Sequence, residues 1–209
     1  MNPPSHREKR PLTIGDRGRF LKSLLDNPRL TGAVAPSGRM LARAMAAASG
    51  PPQTGLVVEL GPGTGPVTTA LIQRGVEAHR LVLVEFNPNF CRLLRGRFPL
   101  TRVIQGDAYD LAGTLTGFGE ENVTAVVSSL PLLNQPLHLR EKVLDDAFAL
   151  MGPAGVFVQF TYGAASPVPM KALAGRYTAL RSAPVWLNLP PARVWTYRLD
   201  ATLEGRRHG

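Results

Sequence analysis

Cysteine and long apolar segments are both scarce in this chain of 209 residues. The single cysteine, Cys91, excludes an internal disulfide and leaves too few thiolates for a structural zinc site, so we expect no metal ion. No apolar run approaches the roughly 18 residues that cross a bilayer, and the basic N-terminal stretch lacks the apolar core of a signal peptide. These absences predict one domain over residues 1–209 that works in the cytoplasm, either free or on a membrane surface.

Acidic residues are outnumbered by basic ones, and the imbalance is confined to the two ends of the chain. There are 24 Lys and Arg against 15 Asp and Glu, which gives a net charge of +9. Residues 1–30 contribute +4 and residues 160–209 contribute +5, whereas residues 31–159 contain ten charges of each sign. This distribution predicts an anionic partner, which is nucleic acid, an acidic small molecule or an anionic membrane surface.

An apolar run that ends in a carboxylate and a glycine-rich turn is the most informative pattern. Glu59 precedes Gly61, Gly63 and Gly65, and Pro66 then suits the first turn of a helix. The third glycine of the dinucleotide fingerprint would fall at Pro66, which weakens a pyrophosphate interpretation. The arrangement resembles the first motif of the class I S-adenosylmethionine-dependent methyltransferases. The resemblance implies that the acid and the three glycines lie in the cofactor site, with the methionine part of the cofactor against the turn.

Two further strand ends have carboxylates where the same cofactor would need them. Glu85 ends an apolar run 20 positions after the last glycine of the turn and can accept hydrogen bonds from both ribose hydroxyls. Asn87 can cap the next helix, and Asp107, followed by Ala108, is positioned to meet an adenine amino group. We expect these four residues in the cofactor site, together with Ser128 at the end of the fourth predicted strand.

Strands and helices alternate at the spacing of right-handed βαβ units, which predicts an α/β fold with a mostly parallel sheet and helices on both faces. A helix over residues 168–180 and a terminal hairpin of residues 181–187 with 194–199 are expected after the last parallel strand. The predicted parallel strands are 56–60, 81–85, 101–105, 123–128 and 155–160, and the predicted helices before the C-terminal region are 12–26, 37–48, 66–75, 88–98 and 136–150.

The segment after the fourth predicted strand lies where class I methyltransferases place the residues that face the transferred methyl group. Enzymes that methylate the exocyclic amines of bases commonly have an Asn or Asp before the proline of this segment and an aromatic ring after it. Ser129-Leu130-Pro131-Leu132 keeps the proline and loses both the amide and the ring. This loss argues against a base as the substrate.

Five segments together resemble the bacterial phospholipid N-methyltransferases, and the resemblance covers about residues 12–199. It implies a class I, Rossmann-like seven-stranded sheet with a C-terminal antiparallel hairpin, S-adenosyl-L-methionine as cofactor and S-adenosyl-L-homocysteine as product. That family methylates phosphatidylethanolamine stepwise to phosphatidylcholine, so phosphatidylethanolamine and anionic membrane lipids are the expected partners. We expect no nucleic acid partner and a monomer. The five segments are TGAVAPS at 31–37, ELGPGTG at 59–65, SLPLL at 129–133, QFTYG at 159–163 and NLPPARVW at 188–195.

The basic C-terminal region supplies candidates for the lipid headgroup. Lys171, Tyr177 and Arg193 are expected to bind the phosphate, because hydroxyl and cationic donors both bind phosphate oxygens. Ser129, Tyr162 and Tyr177 are expected at the reacting amine. Its proton acceptor stays open among the His138 side chain, the Tyr162 hydroxyl and the carbonyls near Ser129.

A predicted amphipathic helix over residues 12–26 is the expected membrane contact. Its apolar side and the basic side chains around it would lie in the plane of an anionic interface. An alternative of equal weight is that the helix packs on residues 31–209 as a lid. The residues expected at the membrane are Arg17, Arg19, Phe20, Leu21, Lys22 and Leu24.

Two other functions stay open at this point. A methyltransferase that acts on the amino groups of RNA or DNA would also be basic and would share the same sheet. A cofactor-binding membrane adaptor without catalysis is the other class. The apolar, proline-containing segment after the fourth predicted strand favours an enzyme over such an adaptor.

Overall fold

One seven-stranded sheet organises the chain in a computed structural model. The structure describes residues 36–51, 54–117, 122–162, 165–173, 175–186 and 191–200. The predicted helix over residues 12–26, with all of its expected membrane contacts, lies outside the described residues. None of the helices within these ranges combines the length and apolar character needed to cross a bilayer.

The elements follow the alternation that the sequence predicts. Short 3₁₀ turns precede β2 and follow β4. In chain order, the elements are α1 Pro36–Ala48, β1 Leu56–Leu60, α2 Pro66–Gln73, β2 Leu81–Glu85, α3 Pro88–Arg97, β3 Arg102–Gln105, α4 Leu111–Thr114, β4 Val123–Ser128, α5 Leu137–Met151, β5 Val156–Thr161, α6 Met170–Leu173, β6 Tyr177–Arg181 and β7 Arg193–Leu199.

The strand order is β3-β2-β1-β4-β5-β7-β6. Strands β1 to β5 are parallel, and β7 runs antiparallel to both of its neighbours, β5 and β6. From β1, the strands β2 and β3 follow on one side of the sheet, whereas β4 and β5 follow on the other side. The strand order therefore reverses between β1 and β4. In open α/β sheets, ligands bind outside the carboxyl ends of the strands at such a switch point.

Two apolar cores cover the two faces of the sheet, because neighbouring residues of a strand point in opposite directions. Val57 of β1 packs in the core formed with α1, α2 and α3, whereas Val58 packs in the core formed with α4 and α5. The central strands β1 and β2 are buried along their whole length, which explains their nearly continuous apolar sequences. The predicted sheet with helices on both faces is confirmed.

The predicted helix over residues 168–180 is confirmed only for residues 170–173, and its last residues form a strand instead. The helix α6 ends at Leu173, and Gly175 then adopts a positive φ of 72° that redirects the chain. Residues from Tyr177 onward form β6, which pairs with β7 over five residues on each strand. The C-terminal antiparallel hairpin is therefore confirmed, but the predicted first strand 181–187 is wrong: the strand spans 177–181, the two share only Arg181, and Val185 makes just an isolated bridge to Ala192.

Gly65 provides a stability test of the turn before α2. Its φ is +82°, and an added Cβ would collide with the ring of Phe98. Gly50 has a similar φ of +91°, but an added Cβ there would meet no described atom within 4 Å. We expect Gly65→Ala to lower the free energy of unfolding by about 1–3 kcal/mol more than Gly50→Ala, measured by urea denaturation. Equal losses in the two variants would contradict this placement of Phe98.

Candidate functional site

A cavity of about 550 Å³ opens at the carboxyl ends of the parallel strands, at the switch point of the sheet. This volume falls in the usual range of ligand pockets, about 300–1,000 Å³. The helix α1 covers one side of the cavity with Leu41 and Met45. The opposite walls come from the segment after β4 and the end of β5. One part of the cavity therefore lies against the glycine turn, and another part lies against residues 129–135, which follow β4.

The glycine turn after β1 lies directly at the cavity. Gly61, Gly63 and Gly65 all have positive φ angles, of 65°, 58° and 82°. The Gly61 N–H donates to the Val84 carbonyl at 2.9 Å, which ties the turn to β2. Gly63 lines the cavity, and a Cβ added there would meet no described atom within 4 Å. The missing side chain leaves the space into which a ligand can approach the backbone.

Glu85 joins the end of β2 to this turn. Its Oε2 accepts the Gly63 N–H at 3.1 Å, and its Oε1 accepts the Asn87 N–H at 2.8 Å. Burial raises the pKa of the Glu85 carboxyl, and the backbone hydrogen bonds oppose the rise. Each carboxylate oxygen has a second lone pair, so Glu85 retains acceptor capacity for ligand hydroxyls.

Glu59 lies in the core beneath the turn and does not line the cavity. Its Oε2 accepts the Thr68 hydroxyl at 2.6 Å, and its buried Oε1 has no hydrogen-bond partner within the described ranges. Burial raises the pKa of Glu59 to about 8, and the Thr68 hydrogen bond opposes this rise. The acid of the first motif therefore supports α2 and the turn from below.

The structure brings five of the nine expected cofactor residues to the cavity surface. These five are Gly61, Gly63, Glu85, Asp107 and Ala108. The other four, Glu59, Gly65, Asn87 and Ser128, do not line the cavity. The Asn87 side chain caps α3 by accepting the Asn89 N–H, and the buried Ser128 hydroxyl accepts the Leu130 N–H at 3.3 Å. Asp107 shapes its own loop by accepting the Tyr109 N–H at 2.9 Å.

The charged side chains that line the cavity are both acidic. They are Glu85 and Asp107, and no Lys or Arg among the described residues lines it. A pyrophosphate would require donors or cations here, whereas a ligand with ribose hydroxyls and positive charge suits this set. The open space at Gly63 and the two carboxylates thus fit S-adenosylmethionine better than a dinucleotide.

Residues 58–159 match the family description of a methyltransferase domain. The chain is also 33% identical over 145 residues to the ornithine lipid N-methyltransferase of Singulisphaera acidiphila, a match that covers 68% of this chain and 76% of that protein. The chain is an S-adenosylmethionine-dependent methyltransferase. A shorter match, 44% identical over 54 residues, links 24% of the enzyme to 18% of the ribosomal RNA small subunit methyltransferase A of a Synechococcus strain.

Solved structures of methyltransferases share the fold of the enzyme. The 1,6-didemethyltoxoflavin-N1-methyltransferase of Burkholderia thailandensis, solved with S-adenosylhomocysteine, has a TM-score of 0.68 and 20% identity over 94% of this chain and 93% of its own. A glycopeptide N-methyltransferase complexed with S-adenosyl-L-methionine has a TM-score of 0.59 and 15% identity, and the match covers 78% and 94% of the two chains. The predicted class I, Rossmann-like methyltransferase fold and its cofactor are confirmed.

The glycine turn, Glu85 and Asp107 would hold the cofactor in this enzyme. When bound, the cofactor supplies a methyl group activated by a sulfonium sulfur. The carboxylates of Glu85 and Asp107 would accept hydrogen bonds from the hydroxyl and amino groups of the cofactor. The open space at Gly63 would let the cofactor approach the backbone closely. The part of the cavity lined by the segment after β4 would then remain for the methyl acceptor.

The walls beyond β4 are held by residues that sequence reasoning missed. The fully buried Gln159 of β5 donates from Nε2 to the Leu130 carbonyl at 2.9 Å and to the Phe160 carbonyl at 2.8 Å. Arg140 of α5 binds three more backbone carbonyls at the same side. Gln159 belongs to the QFTYG segment and Arg140 to none of the five segments, but neither contact follows from a local spacing, so only the folded chain reveals them.

Two of the three residues expected at the reacting amine lie together at the cavity, and the third does not. Ser129 and Tyr162 line the cavity, and the Tyr162 ring is 46% exposed with its edge against Phe160. Tyr177 lies elsewhere, because its ring stacks on Phe148 at 4.8 Å and its hydroxyl donates to Asp145 at 2.5 Å. Burial raises the pKa of this hydroxyl above its usual value. Tyr177 is a packing residue of β6 and α5 in this structure.

The other expected phosphate residues also lie off the cavity surface. Lys171 is exposed on α6, and Arg193 is half-buried at the start of β7, paired in register with Thr161. His138 is exposed in the first turn of α5, away from the cavity lining. The structure thus separates Lys171, Arg193 and His138 from the cavity that Ser129 and Tyr162 line.

Replacing Glu85 tests the cofactor half of the site. Glu85→Ala removes the acceptor of two backbone N–H groups and of the ribose hydroxyls, and hydrogen bonds to charged groups contribute about 1.5–3 kcal/mol each. We expect affinity for S-adenosylhomocysteine, measured by calorimetry, to fall by at least about tenfold. Glu77→Ala, at an exposed ion pair with Arg80, is the matched control. Near-normal affinity of the folded Glu85 variant would show that the ribose lies elsewhere.

Glu59 predicts a pH dependence of stability. Its pKa rises from 4.5 in the unfolded chain to about 8 in the fold, so the folded state holds more protons between these values. The contribution of Glu59 is therefore lost as pH rises through this window. We expect the free energy of unfolding of the wild type, relative to Glu59→Gln, to fall by roughly 1 kcal/mol per pH unit from pH 5 to 8. Parallel urea-denaturation profiles of the two proteins would contradict a protonated Glu59.

Proposed function

We propose that the enzyme N-methylates the primary amine of a membrane aminolipid, with phosphatidylethanolamine and its mono- and dimethylated forms as substrates toward phosphatidylcholine. The observation that carries this proposal is the match to an ornithine lipid N-methyltransferase over 76% of that protein. Phosphatidylethanolamine and an ornithine lipid share a primary amine on an acyl-bearing molecule with an anionic group nearby. The resemblance in the segments around the cavity favours phosphatidylethanolamine.

The chemistry of the acceptor wall supports an amine on a flexible headgroup. Leu130, Pro131 and Leu132 make an apolar wall, and Leu132 is 2% exposed. A flipped base would need an amide and a stacking ring at this wall, and the chain has Ser129 and Leu132 in those places. The Tyr162 ring offers a face to a methylated ammonium, an attraction of about 0.5–2 kcal/mol.

The residues at the wall would position a neutral amine and exclude water from it. A primary ammonium with a pKa of about 10, like that of lysine, must lose a proton before its lone pair can react. We propose that the ammonium loses this proton to solvent water, and that the Tyr162 hydroxyl and the backbone carbonyl of Ser129 then accept hydrogen bonds from the N–H groups of the neutral amine. His138 is not proposed, because it lies outside the cavity lining.

Membrane contact accounts for the distribution of charge. The basic excess lies in residues 1–30 and 160–209, whereas the charged residues at the cavity surface are acidic. Each Lys or Arg near an anionic surface contributes about 1 kcal/mol to binding. We place the contact in residues 12–26, with Lys171 and Arg193 as further cations on the same chain, and we propose that the enzyme acts as a monomer at the cytoplasmic face of the membrane.

Transfer of a labelled methyl group to defined lipids tests this function. The wild type is incubated with methyl-labelled S-adenosylmethionine and anionic liposomes that contain phosphatidylethanolamine, an ornithine lipid or neither. A fourth reaction contains an RNA oligonucleotide, because the short match to a ribosomal RNA methyltransferase makes RNA the competing substrate. We expect label in the phosphatidylethanolamine extract, and at least about tenfold less with Glu85→Ala at a cofactor concentration below its dissociation constant.

Each alternative outcome of this assay has a separate meaning. Label only in the ornithine lipid would keep lipid N-methylation and overturn phosphatidylethanolamine as substrate. Label only in RNA would replace the lipid function with a nucleic acid one. No label in any acceptor, from protein that binds S-adenosylhomocysteine, would contradict all of these substrates.

A further inference from the structure

The Arg140 guanidinium gathers three backbone carbonyls from two separate segments of the cavity wall. Its Nε donates to the Gln135 carbonyl at 2.6 Å, and one terminal nitrogen donates to the Leu133 carbonyl at 3.1 Å. The other terminal nitrogen donates to the Pro167 carbonyl at 3.0 Å. All three nitrogens of one side chain are therefore engaged by main-chain oxygens.

The three carbonyls belong to residues that line the cavity. Leu133 and Gln135 lie in the segment that follows β4, and Pro167 lies in the segment that follows β5. These two segments face the acceptor side, while the glycine turn and Glu85 form the cofactor side. Arg140 itself lies on α5 and is half-buried behind the wall.

Only a guanidinium suits this arrangement. Its planar fork holds five donor hydrogens in fixed directions, so it can bind three oxygens from different sides at once. The ammonium of a lysine is a single point that cannot span the three carbonyls. This fork joins the Pro167 carbonyl to the segment after β4, beside the apolar packing of Val168 in the same core as Leu130 and Leu132.

We propose that Arg140 is a positioning residue that fixes the gap between the two acceptor-side walls of the cavity. That the acceptor is a lipid amine rests on the proposed function. The role of Arg140 in holding the two walls does not depend on which acceptor binds. By tying Pro167 to Leu133 and Gln135, Arg140 holds Ser129 and Tyr162 at the separation that admits the headgroup. A misplacement of about 1 Å in such a wall costs about 10²-fold in rate.

Arg176 provides a matched control on the same side of the fold. Its guanidinium also joins α5 to the C-terminal region, through Asp145 at 2.9 Å and the Ala172 carbonyl at 3.4 Å. It makes these contacts away from the cavity. Arg140 lies on α5 and Arg176 contacts α5 through Asp145, so each lysine variant removes guanidinium contacts that involve this helix, and only Arg140 contacts the acceptor walls.

Kinetics of the two variants test the proposal. For Arg140→Lys we expect kcat/KM for the lipid to fall about 10- to 100-fold, with the dissociation constant for S-adenosylhomocysteine unchanged. Arg176→Lys should keep wild-type kinetics. Millimolar methylguanidinium should restore part of the activity of Arg140→Ala, because a free guanidinium can enter the vacated space. Equal kinetic losses in the two lysine variants, or a loss of cofactor affinity in Arg140→Lys, would overturn the proposal.

Hydrogen–deuterium exchange tests the same tether without an acceptor substrate. We expect faster exchange of backbone amides in residues 132–135 and 165–169 in Arg140→Lys than in Arg176→Lys, with unchanged exchange in residues 61–65. Unchanged exchange in both wall segments would overturn the tether even if lipid is the substrate. Faster exchange in a protein that methylates no lipid would support the tether and contradict the proposed function instead.

Discussion

The carboxylate of Glu85 is the contact on which the geometry of the cofactor site depends. By accepting the Gly63 N–H and the Asn87 N–H, it joins the turn after β1 to the start of α3. Parallel strands place these two segments side by side, and the Gly61 hydrogen bond to the Val84 carbonyl and the Gly63 hydrogen bond to Glu85 together set the turn at a defined distance from β2. The same carboxylate lines the cavity, so one group both shapes the site and faces the ligand.

Burial gives the two motif acids different tasks. Glu59 and Glu85 lie at or beside the same turn, and desolvation raises the pKa of both. Glu85 meets two backbone donors and the cavity, whereas Glu59 meets one hydroxyl in the core. An acid at the end of a strand can thus face the ligand, as Glu85 does, or hold the fold together from the core, as Glu59 does. The depth of its side chain below the cavity surface decides which.

The strand ends and the glycine turn of the cofactor half were predictable from sequence, because their signals are local. An apolar run that ends in an acid predicts a strand and an acid at its carboxyl end, but it does not indicate that Glu85 lines the cavity while Glu59 lies in the core. The acceptor half depends on contacts between distant residues. Gln159 reaches Leu130 across 29 positions and Arg140 reaches Pro167 across 27, so no spacing rule indicates either. Tyr177 was assigned to the substrate from its residue type, and its ring is instead used in packing against α5.

The position of β7 between β5 and β6 has a consequence for synthesis of the chain. Strand β6 precedes β7 in sequence, yet its partner in the sheet is β7 alone. On the ribosome, β6 therefore has no edge to join until β7 has emerged and paired with β5. Because domains fold during synthesis from the N-terminal side, the five parallel strands can assemble first, with β5 as a temporarily open edge.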